Sequence, residues 1–218
     1  PYGADVNLNQ NSRMDIYGSL YLKPDFVFRT LGNINICFRS DSTDQKIDFA
    51  GSPIISSNYM NIEFEGKGSW ELLDSISMQV DTAYNYNSSI FLSNGTLNTN
   101  GHTIKSGSIS VTNGAAINIS GSELFLNRSF DYIWEVNGDL ISADSSVIYM
   151  TGTNTTNSIA FRGGGYRYPE VHAYKDCDFW GINKTDTIGD LFLRRGFEYT
   201  IDSSATITIE NDIVLFDS

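Results

Sequence analysis

The chain has 218 residues, 40% of them hydrophobic and 13% aromatic, with a formal net charge of −12. That is apolar enough to bury a sizeable core, as one elongated or two compact domains. A sequence pI near 4.4 leaves no basic stripe for tracking phosphates, so nucleic acid is not an expected partner. No apolar run is long enough to span a bilayer, and residues 1–20 lack the basic start and apolar centre of a signal peptide, so no membrane insertion of this segment is expected.

Strand signals follow one another from the start: "SLYLKPDFVF" (19–28), "NINICFRS" (33–40), "KIDFAGSPII" (46–55) and "MNIEFEG" (60–66). They continue with "SISVTNGAAINISG" (108–121), "SVIYMTG" (146–152), "SIAFRGGG" (158–165) and "ATITIENDIVLF" (205–216). Each alternates apolar and polar residues and closes on Gly, Asn, Asp or Ser, residues suited to tight turns. Helical periodicity is hard to find, so the chain reads as all-β. Asn-Gly pairs at 94–95, 100–101, 113–114 and 137–138 suit type I′ hairpins, but also the corners of a solenoid.

A longer repeat favours the solenoid. Ile36 matches Ile148, Asp41 Thr153, Ile47 Ile159, Phe49 Phe161 and Gly51 Gly163, at a constant offset of 112 residues. A unit of that size suits roughly five coils of 20–25 residues. The expected architecture is a right-handed parallel β-helix or related β-solenoid, with tandem β-sandwiches as the alternative. Leu97, Ile104, Ile109, Val111, Ile117, Ile119, Leu124 and Leu126 would face inward, and Trp70 and Trp134 would fill the interior. The expected organisation is a loosely matching N-terminal segment, 1–30, then a solenoid over 31–218. Its two related units are 31–142 and 143–218, the second incomplete.

Chemistry is sparsely supplied. His102 and His172 are the only histidines, and Cys37 and Cys177 the only cysteines. The spacing fits neither a metal site nor a nucleophilic triad. Two buried free thiols are expected, with one long-range disulfide as the alternative. The acidic runs "DSTDQKID" (41–48) and "KDCDFW" (175–180) would be the material for a β-helix lyase or hydrolase. Both sit where turns favour Asp for backbone reasons, so no catalytic residue, metal or cofactor is assigned. The segment 163–181, "GGGYRYPEVHAYKDCDFWG", gathers aromatics among glycines and charges. Tyr166, Tyr168, Tyr174 and Trp180 are the candidate glycan-binding residues, since exposed aromatic faces stack on sugars. The alternative is that these are core aromatics.

The order "FEGKGSWELLDSISM", "GTLNTNGHTI", "INISGSELFL", "ADSSVIYMTG", "SIAFRGGGYRYPEV" and "DTIGDLFLRRGFEYTIDSSATITI" is similar to a repeat region of large Bacteroidetes cell-surface proteins. These are exported by the type IX secretion system and include adhesins and gliding-motility adhesins. The likeness covers roughly residues 60–213 and weakly 30–60; residues 1–30 match only loosely. It implies an interior piece of a long extracellular protein, a non-enzymatic stalk in adhesion or gliding. Its implied partners are the secretion machinery during export and surface glycans or the substratum. The Asp-Ser/Thr-apolar triplets at 74–76, 81–83 and 186–188 also resemble O-glycosylation sites of such proteins, or else are ordinary turn residues.

Overall fold

The structure is a computed structural model that describes residues 5–8, 12–24, 26–30, 32–56, 59–80, 88–128, 131–152, 158–181 and 184–217. Among these residues there is no α-helix, and every strand ladder is parallel. The molecule is a parallel β-solenoid. Tandem sandwiches require antiparallel pairing and are excluded by these ladders.

The chain visits its sheets in rotation. The first sheet stacks β1 (Asp5–Leu8), β4 (Val27–Thr30), β7 (Ile54–Ser56), β10 (Ile76–Val80), β13 (Ile104–Ser106), β16 (Glu123–Leu126), β19 (Val147–Met150), β21 (Arg167–Ala173), β23 (Thr185–Arg194) and β25 (Thr206–Ile209). β26 (Ile213–Phe216) also pairs with β23. The second stacks β2 (Ser12–Ile16), β5 (Ile34–Phe38), β8 (Met60–Phe64), β11 (Ser89–Leu92), β14 (Ser108–Val111), β17 (Asp131–Val136), β20 (Ile159–Arg162), β22 (Cys177–Phe179) and β24 (Tyr199–Ile201). The third holds β3 (Leu20–Tyr21), β6 (Gln45–Asp48), β9 (Ser69–Leu72), β12 (Gly95–Asn98), β15 (Ala115–Asn118) and β18 (Asp139–Ser142).

Alternation along each strand and register between strands together make the core. Ile76, Ile104, Leu124, Ile148, Val171 and Leu191 form one inward column. Ile36, Ile62, Ile90, Ile109, Trp134 and Phe161 form a second, and Trp70, Leu97, Ile117 and Leu140 a third. All eight residues expected to face inward are at most 1% exposed, as are Trp70 and Trp134. Apolar side chains stacked this way leave water completely, which drives folding.

The corners explain the turn residues. Asn100 and Gly101 both have positive φ (53° and 75°), the pair of angles a type I′ turn needs. The chain then passes from β12 to β13, in a different sheet, so the turn makes a corner. Ala50 and Gly51 do the same between β6 and β7. Asn98 and Asn118 carboxamide oxygens accept the amide N–H two residues on, from Asn100 (3.0 Å) and Ser120 (3.1 Å), which is why Asn recurs there.

Strands within the first 30 residues join the same sheets as the rest: β2 pairs with β5 and β3 with β6. β18, ending at Ser142, is the last strand of the third sheet. Positions matched at the 112-residue offset stand on different faces: Ile36 is in the second sheet and Ile148 in the first, while Ile47 is in the third and Ile159 in the second. In the last described turns Ile201, Ile213 and Leu215 are 59%, 58% and 57% exposed.

Both cysteines are free and buried. β5 and β22 are six strand steps apart in the second sheet, roughly 29 Å at about 4.8 Å per step. A disulfide needs Cα atoms within about 7 Å, so the long-range bridge is ruled out.

Candidate functional site

The segment 163–181 begins with three glycines, each required by its surroundings. A Cβ on Gly163 would strike the Asp186 carboxylate, and one on Gly164 the Val136 carbonyl. Gly164 and Gly165 have φ of +79° and +86°, a region other residues rarely adopt. The buried Asp186 carboxylate accepts the N–H groups of Gly163 (3.1 Å) and Gly165 (2.6 Å). Burial is the largest influence on this carboxyl and holds it above its usual range, against the opposing pull of those backbone bonds. The loop is pinned from inside the solenoid.

The four candidate glycan-binding aromatics part company here. Tyr168 is fully buried (0% exposed). Its hydroxyl accepts the Trp134 Nε1–H and donates to the Gly163 carbonyl, and its ring meets Trp134 and Phe161 edge-on. The alternation of β21 breaks at Pro169–Glu170, so that Tyr168 is buried along with Val171 and Ala173, and it is corrected from the glycan surface to the core. Tyr166 and Tyr174 flank β21 at its two ends, roughly 25 Å apart at about 3.3 Å per residue. Tyr174 packs on His172 and Phe216, whereas Tyr166 is half-buried and donates to the Gly138 carbonyl at 3.0 Å. Trp180 is 37% exposed and stands edge-on to Tyr132. The four thus make no single stacking platform.

Two of them, Tyr166 and Trp180, stand behind residues that line one cleft, though neither lines it. Thr112, Asn113, Asn137, Arg162, Gly164 and Lys184 surround about 470 Å³, within the usual size for a small-ligand site. Arg162 is fixed: Nη1 donates to Glu135 Oε1 at 2.7 Å, Nη2 donates to the Tyr132 hydroxyl, and the guanidinium lies 4.1 Å from the Tyr132 ring centre. Trp180 backs that Tyr132 from the side. Opposite, the Lys184 ammonium stands 5.9 Å from the Tyr166 ring centre. Sequence reading missed Arg162 and Lys184, since nothing local brings residues 112, 137, 162 and 184 to one corner.

The acidic runs serve the backbone. Asp41 accepts the Lys67 N–H, Asp48 the Ala50 N–H and Asp176 the Glu198 N–H, while Asp178 accepts the Ser158 hydroxyl. Asp74, in the first Asp-Ser/Thr triplet, accepts the N–H groups of Phe49 and Gly51. Asp186, in the third, holds the glycine loop; the triplet at 81–83 lies outside the described residues.

Among the described residues, potential metal ligands gather at Cys37, Glu63 and Glu65, whose donor atoms lie within 4.8 Å of one another. Arg13 and Arg39 already occupy Glu65 at 2.8 and 2.7 Å, so the cluster is internally neutralised. Burial first, then the neighbouring Glu63, pushes the Cys37 thiol up to about 12, which disfavours a thiolate ligand. The carboxyls sit too close for the usual two-carboxylate glycosidase spacing of about 5–9.5 Å.

A ladder of rings runs along the outside of the first sheet. Phe125, Tyr149, His172 and Phe192 occupy successive register positions, with ring centres 4.6, 4.7 and 4.2 Å apart. Lys105 stands over the Phe125 end. Each inner ring has its faces covered by its neighbours, so the ladder offers edges and no open face to a sugar. Comparison with family models, curated proteins and solved structures finds no match to this chain.

Proposed function

We propose that this chain is a non-enzymatic, extracellular stalk segment of a large surface adhesin, carried as type IX secretion cargo and serving adhesion or gliding. The observation that carries the reading is the unbroken set of inward columns, from the first sheet to the third, built of parallel strands. A stack held in this way resists bending, and its stability adds turn by turn. The order of motifs shared with Bacteroidetes surface proteins supports the setting, and the acidic surface opposes self-association. Contact with glycans or the substratum is assigned to the cleft of Arg162 and Lys184.

A carbohydrate-active β-helix is the second reading. Its support is the fold, which serves enzymes as well as scaffolds, and not the Glu63–Glu65 pair, whose carboxyls lie too close for the two-carboxylate glycosidase spacing. The test is a glycan array probed with all 218 residues, beside an assay for reducing ends or unsaturated products. Selective binding without product supports the adhesive stalk. Product release overturns it in favour of the enzyme, and silence in both removes the adhesive half while leaving the scaffold.

A further inference from the structure

We propose that the cleft between Arg162 and Lys184 is a subsite for an anionic sugar residue, carrying a carboxylate or a sulfate, within a polysaccharide chain. This rests on the adhesive reading above and names the ligand class of that same site.

The charge distribution is the first argument. The molecule carries a formal charge of −12, yet the residues lining this cleft include two cations and no carboxylate. The two cations differ. Arg162 is committed to Glu135 and Tyr132, so it forms a fixed wall with little charge to spare. Lys184 is exposed and, among the described residues, has no carboxylate at ion-pair distance. Held near the Tyr166 ring, with the charge of the buried Asp186 close enough to be felt, it lines the cleft as a cation with no salt bridge among the described residues.

The second argument is shape. The cleft floor at Gly164 is bare peptide, fixed by the bonds from Gly163 and Gly165 to Asp186. A site with a rigid floor loses little entropy when it is occupied. Asn113 and Asn137 add carboxamides at the rim; Asn137 donates to Glu135 at 3.0 Å, which leaves its carbonyl oxygen to accept a sugar hydroxyl. The Tyr166 ring lies beside the Lys184 ammonium, so an anionic sugar held by that lysine has an aromatic surface next to it.

The experiment is affinity electrophoresis of the full chain through gels containing polygalacturonate, dextran sulfate or neutral dextran. Retardation by either anionic polymer at least tenfold above dextran is expected, weakening as sodium chloride is raised, since a lysine–anion contact at the surface is screened. The polymer that retards more identifies carboxylate or sulfate. Lys184→Gln should reduce retardation about fivefold or more, while Lys105→Gln, a cation on the first sheet, should leave it unchanged, with circular dichroism verifying both folds. Equal loss in the two variants would mean diffuse charge attraction and overturn the subsite. Retention by dextran that ignores both salt and Lys184→Gln would also overturn it, yet leave the adhesive stalk standing. Absence of retention in every gel would overturn the subsite and leave the adhesive reading to the glycan array.

Discussion

The Trp134 indole Nε1–H donates to the Tyr168 hydroxyl at 3.1 Å, and that hydroxyl donates in turn to the Gly163 carbonyl at 2.5 Å. A core tryptophan in β17 is thereby tied to the loop that floors the cleft. Tyr168→Phe keeps the ring and removes the relay, stranding a buried N–H and carbonyl. A loss of about 1–3 kcal/mol in a urea melt is expected. Tyr166→Phe, whose lost bond lies nearer water, should cost about 1 kcal/mol or less.

The outer ring ladder should act on stability and not on sugar binding. Tyr149→Ser removes two ring contacts from its middle, at about 0.5–1.5 kcal/mol each. Chemical denaturation should register that loss, while retardation in the anionic gels stays as in the parent chain. A parallel loss of retardation in a folded variant would show that the ladder's edges take part in binding.

Neither cysteine should react in the native protein. Burial is the main cause that raises both thiols, Cys37 to about 12 and Cys177 further still. Iodoacetamide at pH 8 should add nothing to the folded chain and two groups after denaturation without reductant. Intact mass spectrometry reads both states, and a single disulfide would appear as no addition in either.

The Glu63–Glu65 pair predicts a stability optimum in mildly acid solution. Burial, then the hydrogen bond to Glu65, raises the Glu63 carboxyl above its ordinary 4.5. The stability tied to its proton is therefore complete below that value and fades as pH climbs through the raised one. For Glu65 burial pushes upward, but the hydrogen bonds from Arg13 and Arg39 outweigh it and lower the carboxyl. The stability tied to its charge is complete above 4.5 and fades as pH falls through the lowered value. Glu63→Gln keeps a donor for Glu65 without a titrating proton. Its Tm relative to the parent should rise as pH moves from about 4.5 toward neutral, and a constant difference would refute the shared proton.

How much of this was legible in the sequence depends on the range over which each signal acts. Alternation is local, so Ile109, Val111, Ile117 and Ile119 could be assigned inward from neighbours alone, and each is buried. Asn100-Gly101 supplies the turn angles, but the direction in which the chain leaves depends on the whole stack. Tyr168 could be grouped with Tyr166 as a surface ring because the two share a spacing of two, but β21 begins between them, at Arg167, and buries only Tyr168. Phe125, Tyr149, His172 and Phe192 meet only through register. Turn length varies, as in the longer step from Ile62 to Ile90 against the shorter one from Ile90 to Ile109, so no fixed period reveals that ladder. The cleft needs the same information from several turns at once.

Hydrogen bonds in a solenoid run along its axis, and these are the bonds that a pulling force loads. From β3 to β18 successive turns are joined through three sheets, but among the described residues no strand after Ser142 joins the third. Tension along the axis is then shared by fewer ladders in the turns that carry Arg162 and Lys184. Under load those turns are expected to yield first, while the turns before Ser142 remain wound.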